Sequence, residues 1–268
     1  MQGFFVNLPL SWVARDPRWL DRFIAEGIEP EFGMDTVAVQ ELDAAWHKAM
    51  AARLRKAGLR CGVHLPFFDL HPGSFNDGVL AATRETLARG AGYAALYSPE
   101  HMVGHMVWDG GQHGQAPEKW RERAVGTWQM VLGVCDAPLR LENVWETRPE
   151  PLAALMEVLP RERVGFCFDV GHWHCFSGGV RDGEAGLVRW LAALGDRIGH
   201  LHLHDNDGTG DQHLGMGAGE IPLVRLFEEL AQRGVRASMT VEAHDEEGLM
   251  QSRLWMRNNG GLLRQVWG

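Results

Sequence analysis

The segment RVGFCFDVGH, residues 163–172, decides the fold. Its first seven residues alternate small or polar side chains (Gly165, Cys167, Asp169) with bulky ones (Phe166, Phe168). A period of two is the mark of a β-strand. An apolar residue on nearly every position marks a strand covered on both faces, as in a parallel sheet. The phenylalanines then face an outer helix layer. Asp169 faces inward at the C-terminal end, immediately before a glycine turn.

The same grammar recurs along the chain. Strands are expected at 3–8, 28–33, 59–65, 93–97, 138–144, 163–169, 197–204 and 236–243. Helical patterns lie between them, near 16–26, 38–57, 78–90, 118–134, 149–159, 184–194, 222–233 and 246–265. Strands alternating with helices give βα units. Eight of each predict an α/β fold, a (β/α)8 TIM barrel, as a single domain over 1–268. Longer loops, rich in Gly and His, are expected at 98–117 and 204–221.

With 268 residues the chain is long enough for a full core. It has no apolar run of membrane-spanning length, and MQGFFVNLPL lacks the basic start of a signal peptide. The four cysteines form no CxxC pair, so a reducing cytoplasm is the expected compartment. A net charge of −9 offers no general attraction for nucleic acid. Lysine occurs only at 48, 56 and 119, all in expected helices, which argues against a Schiff-base aldolase.

Strand parity places a set of ionisable residues on the inner face at one mouth. They are His64, Glu142, Asp169 with His172, His202, Asp211 with His213, and Glu242. Imidazoles and carboxylates are ligands for zinc, manganese or magnesium, so bound divalent ions are expected. Each residue alone has a plainer reading. Asp169 has the form of a helix cap. Glu142 can pair with Arg140, and the Asp211–His213 loop can simply be solvated. In the run HLHLHDND, His200 reads as a satisfied interior histidine, His202 as a ligand, and His204 and Asp205 as groups that orient ligands. Glycines 215, 217 and 219 let the chain turn tightly before a helix and leave backbone N–H groups open to a phosphate, though their spacing matches no P-loop. Trp108, Trp145 and Trp173 fall in expected mouth loops. With Tyr97 at the expected fourth strand end, they are assigned to substrate contact.

Taken in order, H-x-P at 64–66, L-E-N at 141–143, F-D-x-G-H at 168–172, H-L-H-D-N at 202–206, D-x-H at 211–213, a G-x-G and V-E at 241–242 resemble the xylose-isomerase-like barrel superfamily. The resemblance runs from about residue 60 to the end of the sequence. It implies one of two chemistries. In one-metal sugar epimerases, Glu142, Asp169, His202 and Glu242 match the ligands. Glu142 and Glu242 also match the acid and base, and His172 matches a contact to substrate oxygens. In endonuclease IV, all eight residues match ligands of a three-zinc cluster, whose remaining histidine position falls on Tyr97. His101 or His105 is then the replacement from the following loop.

Family frequency favours a sugar or sugar-phosphate isomerase or epimerase acting by metal-stabilised enediolate proton transfer. The D-x-H pair and His64 favour a phosphodiester hydrolase. A small-molecule substrate such as a cobamide fits that second chemistry through HLPFFDLHPGS at 64–74. A non-catalytic binding barrel ranks third, because so many buried charges are costly without ions. Either enzyme takes a small polyhydroxy or phosphorylated substrate. The sequence gives no oligomeric state.

Overall fold

The computed structural model describes residues 4–177 and 179–267, with the side chains of 179–181, 183 and 184 left aside. The first residue of the strand expected at 3–8 lies outside this range. Strand β1 (Phe4–Pro9) leads to helices α1 (Leu10–Arg15) and α2 (Arg18–Glu26), then β2 (Pro30–Gly33), α3 (Thr36–Gln40) and α4 (Ala44–Lys56). Next come β3 (Gly62–His64), α5 (Asp77–Ala95), β4 (Met102–His105), α6 (Gly110–His113) and α7 (Pro117–Val134). They are followed by β5 (Leu139–Glu142), α8 (Glu150–Val158), β6 (Val164–Asp169), α9 (Val170–Phe176) and α10 (Gly179–Leu194). The chain ends with β7 (Ile198–Leu203), α11 (Leu223–Gln232), β8 (Ser238–Val241), α12 (Glu246–Asn258) and α13 (Gly260–Val266). The strands are all parallel and close as β1-β2-β3-β4-β5-β6-β7-β8, a single-domain TIM barrel. No described helix is long and apolar enough to cross a membrane. The four cysteines are free.

The alternation read in the sequence holds. Phe166, Phe168, Leu201, Leu203, Leu141 and Val241 are buried against the helix layer. Phe168 stacks on Trp190 of α10 with ring centroids 6.1 Å apart. Asp169 pairs in register with His202, and His105 with Glu142, so the ionisable residues come level at the C-terminal mouth.

One strand differs from expectation. The segment 93–97 continues α5 and its closing turn, and β4 begins at Met102. Alanine-rich YAALY has helical propensity. Its two tyrosines, four residues apart, share one helix face. Both reach His47 of α4: Tyr93 stacks on its ring at 4.3 Å, and the Tyr97 hydroxyl lies 2.9 Å from its Nδ1. Tyr97 is buried in that layer, away from the mouth, so its assignment to substrate contact is incorrect. The true strand, in HMVGH at 101–105, alternates as β7 does. His101, Val103 and His105 face inward, while Gly104 leaves room for Trp128 of α7.

Truncating a phenylalanine clamped between sheet and helices leaves a cavity. Phe168→Ala is expected to cost about 3–5 kcal/mol in denaturant unfolding. Trp145→Ala, half exposed in a loop, is expected to stay within about 0.5 kcal/mol. Equal losses would contradict the assigned layers.

Candidate metal centre

Every residue expected at the mouth except Tyr97, Trp108 and Trp173 lies there. His64, Glu142, His172, Asp211, His213 and Glu242 line one cavity of about 820 Å³, with Asp169 and His202 directly beneath. Trp108 packs on Trp120 (centroids 4.9 Å apart) and Trp173 on Phe168 (6.2 Å), so both support loops instead of touching substrate. Trp145 does line the cavity. The aromatic wall that the sequence reading missed is Phe67, Phe68 and Phe176.

Of the two replacements expected for the histidine position that fell on Tyr97, His105 reaches the mouth, while His101 bonds Glu31 deeper in the barrel. His105 Nε2 lies 3.4 Å from Glu142 Oε2, and His64 Nε2 lies 3.1 Å from the same oxygen. The other Glu142 oxygen, Oε1, lies 3.4 Å from His202 Nδ1. That nitrogen also faces Glu242 Oε1 at 3.5 Å and Asp169 Oδ2 at 3.8 Å. A third group joins His172 Nε2, Asp211 Oδ2 and His213 Nε2, with separations of 3.4 Å and 3.1 Å from the shared Asp211 oxygen. Two ligands of one tetrahedral ion, each about 2.1 Å from it, stand about 3.4 Å apart. The donors are therefore spaced as for shared ions.

Local structure explains the aim of each ring. His64 Nδ1 donates to the Leu65 carbonyl at 2.9 Å, His172 Nδ1 to that of Asn143 at 3.0 Å, and His213 Nδ1 to that of Glu242 at 2.8 Å. Each leaves Nε2 for the cavity, the way ligating imidazoles are held. Asp169 serves twice: Oδ1 caps α9 by accepting from the His172 N–H at 2.7 Å, while Oδ2 stays with the donor cluster. His204 Nε2 also reaches Asp169, at 3.2 Å. This approach needs Gly171, where a Cβ would fall 1.9 Å from the His204 ring.

The β7 loop is pinned by Asp205. Its carboxylate accepts from the N–H groups of Gly217 at 2.9 Å and Ile221 at 3.0 Å. Gly219 packs against the Asp205 side chain and the Asn206 backbone. The expected phosphate contact is thus not supported at Gly217, whose N–H is already taken. His213 sits in the left-handed region at φ 49°, a strained backbone held by the pinned loop.

No arginine or lysine neutralises these carboxylates among the described residues. Arg140, the partner of Glu142 in the plainer reading, packs against Gly165 and Gly199 deeper in the barrel. Imidazoles balance the charge instead. Burial would raise the Glu142 carboxyl, but His202 and His105 hold it well below the usual range. Burial would lower His202, yet Cys167 beside it and the carboxylates of Glu242, Glu142 and Glu31 hold it well above the ordinary histidine value. His213 behaves alike: burial opposes its charge, and Asp211 holds it up to about 9. His202 Nδ1 is buried, faces three carboxylates and has no hydrogen-bond partner. A nitrogen so placed fits a divalent ion, as does the whole set of imidazole and carboxylate donors.

The xylose isomerase-like TIM barrel family pattern matches residues 25–259. An uncharacterised protein of Methanocaldococcus jannaschii is 27% identical over 71% of this chain and 67% of its own. A probable endonuclease 4 of Mycobacterium leprae is 27% identical over 63% of this chain and 67% of its own. Among solved structures, a D-tagatose 3-epimerase-like protein superposes with a TM-score of 0.77 at 19% identity, covering 98% of both chains. The TTHB071 protein of Thermus thermophilus, soaked with zinc chloride, gives 0.75 at 25% identity, covering 97% of this chain and 98% of its own.

Two outcomes follow from the geometry. His105→Ala is expected to lower the zinc content of purified protein by one ion per chain, and Tyr97→Phe to leave it unchanged. The reverse result would return the fourth strand end to Tyr97. A divalent ion taken up at His213 would have to displace the proton that this ring keeps up to about pH 9. Binding at pH 7 is therefore expected to release protons and to tighten as pH rises toward 9. Titration calorimetry in buffers of different ionisation enthalpy reads that release, and a buffer-independent heat would exclude His213 as a ligand.

Proposed function

Because the chain belongs to the xylose isomerase-like TIM-barrel family, we infer a divalent-metal-dependent enzyme, and specifically a hydrolase of small-molecule phosphodiesters. The observation that carries this reading is His105 beside His64 on Glu142, together with the Asp211–His213 pair. An enediolate reaction needs one ion, and Glu142, Asp169, His202 and Glu242 suffice to hold it. The two further donor groups have no task in that chemistry. They suit a reaction in which charge on several phosphoryl oxygens must be balanced at once.

In this reading His64, His105 and Glu142 hold one ion. Glu142, Asp169, His202 and Glu242 hold a second, and His172, Asp211 and His213 a third. Such ions supply Lewis-acid polarisation of the phosphoryl group and offset charge on the leaving oxygen. Glu142 and Glu242 then serve as ligands, not as proton carriers.

The cavity wall supports a small molecule over a polynucleotide. None of its described lining residues is lysine or arginine, whereas a nucleic-acid groove tracks phosphates with both. Phe68 is 67% exposed and Trp145 46% exposed at the rim, beside Phe67 and Phe176. Aromatic faces of this kind stack on planar or apolar groups. A cobamide-type phosphodiester combines bulky planar groups with one phosphodiester, and it heads the substrate screen.

An epimerase is the second reading, favoured by a specific feature. Glu142 and Glu242 both line the cavity and both face His202 Nδ1, the pairing that two-base proton transfer uses.

The zinc- or manganese-loaded protein is expected to hydrolyse bis(p-nitrophenyl) phosphate. His105→Ala and Asp211→Asn are each expected to reduce that rate to background. Epimerisation of a ketohexose by a protein carrying one ion, with no phosphodiester turnover, would overturn the hydrolase in favour of the second reading.

A further inference from the structure

Below the mouth the barrel holds another carboxylate, Glu31 of β2, which none of the chemistry above uses. It is fully buried. Its Oε1 accepts from His202 Nε2 at 2.9 Å. Its Oε2 accepts from His101 Nε2 at 2.7 Å and Thr240 Oγ1 at 2.8 Å, with His200 Nε2 at 3.1 Å. Hydrogen bonds thus hold both oxygens, one on Oε1 and two on Oε2, while His200 Nε2 itself bonds Thr240 Oγ1 at 2.9 Å. Burial would raise the Glu31 carboxyl, but the His202 charge and the three imidazole N–H groups hold it well below the usual range.

His202 is the one ring turned the other way. His64, His172 and His213 rest Nδ1 on main-chain carbonyls and present Nε2. His202 sends Nε2 down the barrel to Glu31 and presents Nδ1, which is buried without a partner among Glu142, Asp169 and Glu242. Among the described residues no carbonyl lies at Nε2, so the carboxylate alone selects the tautomer.

We propose that Glu31 is a positioning residue that keeps the Nε2 proton on His202 and so delivers Nδ1 to the ion held with Glu142, Asp169 and Glu242. His101 and Thr240 clamp the far oxygen, so the Glu31 carboxylate stays aimed at His202. Negative charge behind an imidazole also strengthens it as a donor. The assignment rests on the mouth holding ions, but it holds for either reaction considered above.

Ion binding by the wild-type protein is measured first; a chain that takes up no zinc overturns the centre itself and this role with it. In zinc-loaded protein labelled with 15N-histidine, one coordinated ring is expected to carry its proton on Nε2 and zinc on Nδ1. Coordination of every ring through Nε2 overturns the proposal. Glu31→Gln, of the same size and uncharged, is expected to weaken one zinc by about 10- to 100-fold in chelator competition, leaving the others at wild-type affinity. Thr240→Val, which removes one clamp, is expected to weaken the same ion by less, and it decides the matter if Glu31→Gln does not fold. Wild-type affinity at all sites in both variants overturns the role. So does loss of all ions together, or an additional ion bound by Glu31, His101 and His200 themselves.

Discussion

The arrangement of the mouth follows from one electrostatic constraint: Glu142 is ionised, buried, and has no lysine or arginine beside it among the described residues. Isolated, such a charge would cost several kcal/mol in desolvation. The barrel answers with imidazoles from four different elements, His64 of β3, His105 of β4, His172 of α9 and His202 of β7. Imidazole is the one side chain that can carry the balancing proton and then surrender it to a metal ion near neutral pH. A guanidinium in the same place would neutralise the carboxylate permanently and close the site to ions.

The parallel barrel makes this gathering inexpensive in backbone terms. His64, His105, Glu142 and Asp169 end their strands, His202 lies one residue from the end of its own and Glu242 follows β8 directly, and the strand registers bring His105 level with Glu142, and Asp169 level with His202. The bulky residues of alternate parity fix that level from outside, through Phe168 against Trp190 and Gly104 against Trp128. Shifting a strand by one residue would turn its donor toward the helices.

Much of this was legible in the sequence, because a period of two is a local signal. Strands β6, β7 and β8 announced both their position and their inward faces, and with them Asp169, His202 and Glu242 at the mouth. The fourth strand was hidden by composition. YAALY has the aromatics of a strand, but its tyrosines four apart belong to a helix face closing on His47. The strand itself offers only four residues, and its signal was the alternation of His101 and His105 about Val103. Glu31 escaped for another reason. It lies within the expected second strand, yet its partners His101, His200, His202 and Thr240 come from sequence positions 70 or more residues away. Trp108 and Trp173 were misplaced because a loop's position says nothing about which of its side chains turns under it.

The donors divide by where they are anchored. His64, His105, Glu142, Asp169 and His202 sit on strand ends and are as rigid as the barrel. Asp211 and His213 sit on a single loop, tied down by the Asp205 carboxylate and bent through a left-handed residue. The capacity of the mouth is therefore modular. Replacing that one loop would remove two candidate donors without disturbing the sheet, so a lineage could change how many ions the mouth is able to hold by loop exchange, with the scaffold and its remaining donors carried over intact.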